Sequence, residues 1–111
     1  MKMYLELWNA TPAWKQLSQE ERANYMGQLG PAIQQLMESG VEIISWGSND
    51  AGTYKRAGYD FFAVWKFPDE QTAQGFEKMV EGAGWYTYFE QVNLMGDAST
   101  PQDIIAKMIA M

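Results

Sequence analysis

Hydrophobic and polar residues alternate along the first strand-like segment, residues 3–9. Its aliphatic face carries Met3, Leu5 and Leu7. Its opposite, amphipathic face carries Tyr4, Glu6 and Trp8. Because side chains of a strand point alternately to its two sides, this pattern predicts a strand that separates two different environments.

A helical period follows the first strand. Thr11-Pro12 is typical of a helix start, and Ser18 followed by Glu21 fits a capping box that starts the main helix. The apolar stripe of this helix is Tyr25, Met26, Leu29, Ile33, Leu36 and Met37. Gly30-Pro31 predicts a kink or break, and Gly40 predicts the end.

The remaining elements complete a recognisable order. Strands are expected at 41–48, 59–67 and 88–95, a second helix from about Asp69, and a terminal helix from Thr100-Pro101. The order is β-α-β-β-α-β, the split βαβ motif. The fold class is therefore α+β, ferredoxin-like, with a four-stranded antiparallel sheet and an extra C-terminal helix. A length of 111 residues predicts one domain, 1–111.

Helices on one side of such a sheet leave its other side open. We assign the aliphatic residues of the first strand to the helix side, so that Tyr4, Glu6 and Trp8 point away from the helices. By the same assignment, the other residues on the open side are Ile44, Trp46, Phe89, Gln91 and Asn93. In the third strand Phe61 and Trp65 share one face, and which face that is stays ambiguous.

An open face with several large rings would exceed the apolar patch that a monomer usually exposes. Burial against a second copy is the simplest solution, and it predicts a homodimer. The terminal helix could instead cover part of the face, or exchange onto the partner.

Two residue types are missing, and their absence excludes several chemistries. The chain has no Cys and no His. Disulfides, thiol nucleophiles, Ser-His-Asp triads and the usual zinc ligands are therefore excluded. The acidic residues show no clustering typical of metal ligands, so we expect neither a metal nor a cofactor.

Charge and hydropathy restrict partners and location. The formal net charge is −6 and no basic stripe is present, which disfavours nucleic acid. No apolar run approaches the roughly 20 residues that span a membrane, and the N-terminus enters a strand pattern without a signal segment. We expect a cytoplasmic protein with no membrane partner.

The element order and the aromatic strand that runs directly into a helix at Phe61–Asp69 resemble the dimeric α/β-barrel superfamily. A closer resemblance is to a small bacterial family without an assigned function. It rests on residues 4–9, 45–47, 59–65 and 84–93. The resemblance implies two sheets paired face to face around cavities. Superfamily members include cofactor-independent quinol monooxygenases, haem-dependent enzymes, small-ligand isomerases and ligand domains of transcription regulators. Many use histidines that this chain lacks, so no catalytic residue is carried over.

Glu6 is the candidate catalytic residue. Apolar surroundings raise the pKa of a carboxyl group, which suits a general acid or base. The alternative is an edge carboxylate in water, or one that accepts a hydrogen bond from Tyr or Trp. Gln91 and Asn93 are candidates for orienting a ligand, and cross-strand hydrogen bonds or dimer contacts are their alternative roles.

Aromatic residues supply the other candidate ligand contacts. These are Tyr4, Trp8, Trp46, Trp65 and Tyr88. The alternative for each ring is a role in the core or at an interface.

Two functions remain open at this level. One is a protein that holds a small aromatic or apolar molecule in a cavity on the sheet face, with a cofactor-independent monooxygenase-like or isomerase-like enzyme as one form of it. The other is a dimeric ligand-binding or protein-interaction module without catalysis. An open space between the paired sheets with a buried carboxylate would favour the first function, and an inter-sheet space filled by side chains would favour the second.

Overall fold

A computed structural model describes residues 1–111 as four strands and six helices. The strands are β1 (Lys2–Ala10), β2 (Glu42–Ser48), β3 (Phe61–Phe67) and β4 (Phe89–Asp97). The helices are α1 (Pro12–Lys15), α2 (Gln19–Met26), α3 (Leu29–Glu38), α4 (Glu70–Gly82), α5 (Trp85–Tyr88) and α6 (Pro101–Ile109). None of these helices combines the length and apolar character needed to cross a bilayer.

The strands form one sheet in the order β2-β3-β1-β4, and every neighbouring pair is antiparallel. β1 and β3 are thus the central strands. With the element order, this arrangement confirms the predicted α+β, ferredoxin-like fold. Helices α2, α3 and α4 contribute apolar residues to a single core on one side of the sheet.

Local signals for helix starts are confirmed, but the predicted break is displaced. Ser18 and Glu21 form a capping box, with the Ser18 hydroxyl accepting from the Glu21 amide at 3.1 Å. The main helix breaks at 27–28, between α2 and α3, and not at Gly30-Pro31. Pro31 lies in the first turn of α3, where an amide has no helical partner, so its missing N–H costs little.

The assignment of the two sheet faces is wrong. Tyr4, Glu6 and Trp8 point toward the helices and are buried, whereas the aliphatic residues of β1 lie on the open side. β4 is reversed in the same way: Phe89 is buried, while Val92 and Leu94 are 45% and 60% exposed. The ten buried hydrophobic residues are Tyr4, Trp8, Val41, Ala63, Trp65, Phe67, Ala73, Phe76, Trp85 and Phe89.

A β-bulge explains why Trp46 also lies on the helix side. In β2 the register shifts between Ile43 and Ser45, so Ile43 pairs with Trp65 and Trp46 pairs with Ala63. Directly paired residues share a face, and both partners belong to the helix side. The extra residue, Ile44, changes the parity of the alternation, which a strict period of two does not anticipate.

The size of the side chains gives a physical reason for the reversed faces. Helix α4 buries only Ala73 and Phe76, and α3 buries no residue, so the helices supply little volume to the core. Large rings from the sheet fill this layer, as Trp65 and Phe67 do against Phe76 with ring centroids 5.2 Å apart in both pairs. The smaller aliphatic residues remain for the open face.

Two apolar surfaces have no partner within the chain. The first is the open sheet face, formed by Leu5, Leu7, Phe62, Val64, Val92 and Leu94. The second is helix α6, which has no buried residue and exposes Ile104, Ile105, Met108 and Ile109. Apolar surfaces of this kind mark interaction sites.

Candidate functional site

Glu6 lies in the middle of β1, on the helix side of the sheet, and is 5% exposed. Its Oε1 accepts a hydrogen bond from the indole Nε1 of Trp65 at 2.6 Å. Its Oε2 accepts from the amide Nε2 of Gln91 at 2.7 Å. Glu6 is the only buried residue of the chain that is polar or charged. A single ionisable group in an otherwise apolar interior marks a candidate functional site.

The orientation of the Gln91 amide follows from its neighbours. Its Oε1 accepts from the indole Nε1 of Trp85 at 2.8 Å, and its Nε2 also donates to Oδ1 of Asn93 at 2.8 Å. An indole N–H only donates, so turning the amide over would place two donors against each other. Both oxygens of Glu6 thus face N–H groups that cannot accept a proton in return. These hydrogen bonds favour the ionised form of the carboxylate.

Two effects act in opposite directions on the pKa of Glu6. Burial is the larger effect and raises the pKa, while the hydrogen bonds from Trp65 and Gln91 lower it. No basic side chain pairs with Glu6, since the three ion pairs are Lys2–Asp97, Arg56–Asp60 and Lys66–Glu42. The carboxylate is therefore buried without a cation.

A cavity of about 50 Å³ lies against Glu6, between the sheet and helices α3 and α4. Ten of its eleven lining residues are hydrophobic, and Glu6 is the one exception. Three lining residues are indoles, namely Trp46, Trp65 and Trp85. One water needs about 10–15 Å³ of such volume, so the cavity has room for about four water-sized groups.

The rings beside the cavity meet at steep angles. The planes of Trp46 and Trp65 make an angle of 76° with ring centroids 5.7 Å apart, and those of Trp65 and Phe76 make an angle of 52°. Edge-to-face contacts of this type are favourable. They pack the rings into one aromatic wall of the cavity.

Next to the cavity, a groove of about 320 Å³ separates α3 from α4. The residues that line both spaces are Leu29, Ala32, Met79, Val80 and Trp85. No residue of α3 is buried, and the backbone on either side of the helix contains Gly27 and Gly40. Gly40 has φ +95°, a left-handed conformation that other residues seldom adopt. The groove and the Glu6 cavity thus share part of their walls.

Two tyrosine hydroxyls, those of Tyr4 and Tyr86, lie near Glu6. The hydroxyl of Tyr4 donates a hydrogen bond to Oε2 of Glu77 at 2.7 Å. Burial is the main cause that raises the pKa of Tyr4, and this hydrogen bond raises it further. Burial also raises the pKa of Tyr86, and a hydrogen bond with Asn93 acts against it. The neighbourhood of Glu6 therefore contains acidic and neutral groups.

The structure brings some of the proposed site residues to the cavity and separates others from it. Glu6, Trp46 and Trp65 line it. Gln91 contacts Glu6 directly, and Asn93 contacts Gln91. The alternatives named for these polar residues, a bond from a Trp hydrogen and cross-strand hydrogen bonding, are both realised.

The other three proposed contacts lie outside the cavity. Trp8 is packed behind the wall, with its ring centroid 5.4 Å from Trp46 and 5.9 Å from Trp85. Tyr4 is buried on the same face but points to Glu77. Tyr88 packs against Trp14 and Tyr25 at centroid distances of 5.4 and 4.9 Å.

The site also includes residues that the sequence did not single out as ligand contacts. Trp85 lines the cavity and holds Gln91. Helices α3 and α4 contribute Leu29, Ile33, Leu36, Phe76, Met79 and Val80. Their helical spacing did identify an apolar stripe, but a stripe that contacts a cavity and one that fills a core have the same pattern.

The arrangement can bind an apolar group and place a proton acceptor beside it. Each carboxylate oxygen has two lone pairs, and each accepts one hydrogen bond from the protein, so further acceptor capacity remains. Metal chemistry has no comparable support, because no three acidic side chains come close enough together to hold an ion.

Solved structures with a similar fold have low sequence identity to this chain. A chlorite dismutase from Candidatus Nitrospira defluvii superposes with a TM-score of 0.70 and 13% identity, over 90% of this chain. This chain spans only 40% of that protein. A protein from Arabidopsis thaliana superposes with a TM-score of 0.62 and 9% identity, over 90% of this chain and 97% of its own. At such identities these similarities concern the fold alone.

A third similar structure is HapK from Hahella chejuensis, with a TM-score of 0.51, 13% identity, and coverage of 89% of this chain and 93% of that one. No curated protein matches the sequence significantly. One family model, described as "Family of unknown function (DUF6616)", matches residues 1–111.

Proposed function

Since the chain belongs to DUF6616, a family of unknown function, we propose a function from the geometry of its site. The protein holds a small apolar or aromatic molecule between the sheet and helices α3 and α4. Glu6 is the group that hydrogen-bonds this molecule and exchanges a proton with it. The observation that carries the proposal is a buried carboxylate on the wall of an otherwise apolar cavity.

The chemistry that this site supports is general acid–base catalysis. A carboxylate with a raised pKa is a better proton acceptor near neutral pH than an ordinary one. Glu6 would take a proton from one atom of the ligand and return it to another, as in an isomerisation. This reaction needs no cofactor. A monooxygenase-like reaction would need dioxygen as a co-reactant as well.

A cavity-filling variant tests whether the site is occupied. Ala32 lines both the cavity and the groove, so Ala32→Leu places three further carbon atoms there. Ala23→Leu makes the same change at an exposed position of α2 and is the matched control. Both proteins are purified rapidly from cells alongside wild type, denatured, and the released small molecules are identified by mass spectrometry.

We expect wild type and Ala23→Leu to release the same compound in near-stoichiometric amount, and Ala32→Leu to have lost it. Crystals of wild type should show its density against Glu6. A cavity that is empty in protein taken directly from cells contradicts the proposal. So does full retention of the compound by Ala32→Leu.

We further propose that the protein is a homodimer whose open sheet faces pair. The aliphatic side chains of this face include Leu94, which is 60% exposed, and such a surface is self-complementary across a two-fold axis. The unpartnered α6 would dock against the second copy in the same assembly. The alternative function is a dimeric ligand-binding or protein-interaction module without catalysis. An occupied Glu6 cavity would decide against a module that binds only proteins, and turnover of the bound molecule would decide against both forms of the alternative.

A further inference from the structure

We infer that the Glu6 cavity accepts the head group of a small organic cation, an alkylammonium, with Glu6 as its counter-ion and Trp46, Trp65 and Trp85 as its wall. The inference rests on the proposed function, because it assumes that the cavity binds a ligand. It adds the charge class of that ligand. The argument has three steps, which concern the carboxylate, the wall and the volume.

The first step is the charge of Glu6. Both carboxylate oxygens face obligate donors, Trp65 at 2.6 Å and a Gln91 amide whose orientation Trp85 fixes. These hydrogen bonds favour the anion while burial, the larger effect on the pKa, works against it, and no basic side chain of the chain compensates the charge. A buried anion without a counter-ion is unfavourable in apolar surroundings, and a ligand cation would remove the imbalance.

The second step is the wall of the cavity. Three indoles and the ring of Phe76 line it, and the planes of Trp46 and Trp65 are inclined by 76°. Indoles are the side chains that attract cations most strongly, and clusters of aromatic rings recognise quaternary ammonium groups. An anionic head group would meet Glu6 with a like charge, so carboxylates and phosphates are excluded as the group bound there.

The third step is the volume. A cavity of about 50 Å³ has room for roughly four water-sized groups, so it admits a compact head group and not a multi-ring molecule. The adjacent groove of about 320 Å³ would hold the rest of the ligand. The cavity and groove together therefore fit a short-chain or aromatic amine that enters with its ammonium group first.

The test compares choline with neohexyl alcohol, the neutral molecule in which carbon replaces the choline nitrogen. Both are titrated into the full-length protein at constant ionic strength, and binding is followed by calorimetry and by the indole N–H signals in NMR spectra. We expect choline to bind at least about tenfold more tightly, because the neutral isostere makes neither the ion pair nor the cation–π contact.

Variants test whether the difference in affinity between choline and neohexyl alcohol arises in the Glu6 cavity. Glu6→Gln should abolish the preference for choline, while Glu90→Gln, which removes an exposed carboxylate next to Gln91, should retain it. Trp46→Leu serves as a second variant if Glu6→Gln folds poorly, because Trp46 is 41% exposed and keeps the Glu6 network intact. It should weaken choline binding and leave neohexyl alcohol nearly unaffected.

The outcomes separate this inference from the proposed function. Equal or tighter binding of neohexyl alcohol in the cavity would overturn the cation preference and leave the proposed ligand cavity standing. A choline preference that Glu6→Gln and Trp46→Leu both retain would place the cation elsewhere and overturn the inference. Failure of both probes to bind would overturn it as well, and the Ala32→Leu comparison would then judge the proposed function independently.

Discussion

The Gln91 amide donates to Oε2 of Glu6 at 2.7 Å, and the Trp85 indole determines which end of that amide faces the carboxylate. The relationship joins strands β1 and β4 by side chains in addition to the backbone ladder. It also determines which atoms donate and which accept, because Trp85 donates to Gln91 and Gln91 in turn donates to Glu6.

This relationship predicts strong coupling between Glu6 and Gln91. Glu6→Gln alone sets two amide donors against each other, and Gln91→Glu alone sets two carboxylates side by side. In the double variant Glu6→Gln/Gln91→Glu, the new Gln accepts from Trp65 and the new Glu accepts from Trp85. The amide N–H of the new Gln donates to the new carboxylate. We expect the double variant to be more stable than the sum of the single effects by about 1–3 kcal/mol.

Urea unfolding of the four proteins measures this coupling. Single effects that add to within about 0.5 kcal/mol would show that the two side chains are not coupled, and would contradict the hydrogen-bond network.

The pKa of Glu6 predicts an unusual pH dependence of stability. Burial raises this pKa above its ordinary value of 4.5, so in the folded state Glu6 retains its proton to higher pH than in the unfolded state. Its contribution to the free energy of unfolding is therefore complete below pH 4.5 and is lost as pH rises through the folded-state pKa.

Urea unfolding of wild type and Glu6→Gln between pH 4 and pH 8 isolates this contribution. The difference in the free energy of unfolding, wild type minus variant, should fall as pH rises. An increase over the same range would mean that the hydrogen bonds outweigh burial and that the pKa of Glu6 is lowered. Glu21 and Asp69, whose pKa values are lowered by hydrogen bonds at helix starts, act in the opposite direction in both proteins and cancel from the difference.

The open sheet face gives a prediction about assembly. Leu94→Lys places a charge on the open sheet face, within the proposed dimer contact, where burial would remove it from water. We expect wild type to be dimeric and Leu94→Lys monomeric by light scattering at the same concentration. Gln74→Lys, on an exposed position of α4, adds the same charge and should remain dimeric. A monomeric wild type would refute the homodimer.

The hydrogen bond from Tyr4 to Glu77 predicts a measurable loss of stability. Tyr4 is buried and its hydroxyl lies 2.7 Å from the carboxylate, so Tyr4→Phe should cost about 1–3 kcal/mol. Glu77→Gln retains an acceptor and should cost less. Thermal unfolding of both variants measures the two costs, and an unchanged Tyr4→Phe would show that water satisfies this carboxylate equally well.

Much of the fold could be predicted from the sequence, because its signals are local. Period-two alternation identified β1, the Ser18–Glu21 capping box identified α2, and Asp69 identified the start of α4. Such signals depend on residues within one turn or one strand. The element order then determined the antiparallel sheet.

The orientation of the sheet could not be predicted, because alternation separates two faces without saying which one meets the helices. Both faces here are apolar: rings such as Trp65 lie on one, and Leu5 and Leu94 on the other. The choice depends on how much volume the helices supply, which is a property of the packed layer. The bulge at Ile44 could not be predicted for a related reason. A bulge is an extra residue relative to the neighbouring strand, so it depends on the pairing of β2 with β3 and not on β2 alone.

The grouping of the candidate residues was more robust than their placement. Glu6 and Gln91 were assigned to one face, and they are hydrogen-bonded to each other, whereas the face of Trp65, which also donates to Glu6, had been left open. The cavity lies between the sheet and α3, a helix that buries no residue. The spacing of apolar residues in the sequence does not indicate how closely a helix packs against the sheet.

The indole N–H signals of the five tryptophans provide the most direct test of the ligand cavity. The measurement is a nitrogen–proton correlation spectrum of labelled protein, with assigned indole signals, during titration with small amines, alcohols and aromatic compounds. The account predicts that a bound compound shifts Trp65 and Trp85, whose N–H groups belong to the Glu6 network, and leaves Trp14 unchanged. Shifts confined to the open sheet face, or none at Trp65 and Trp85 with any compound class, would contradict it.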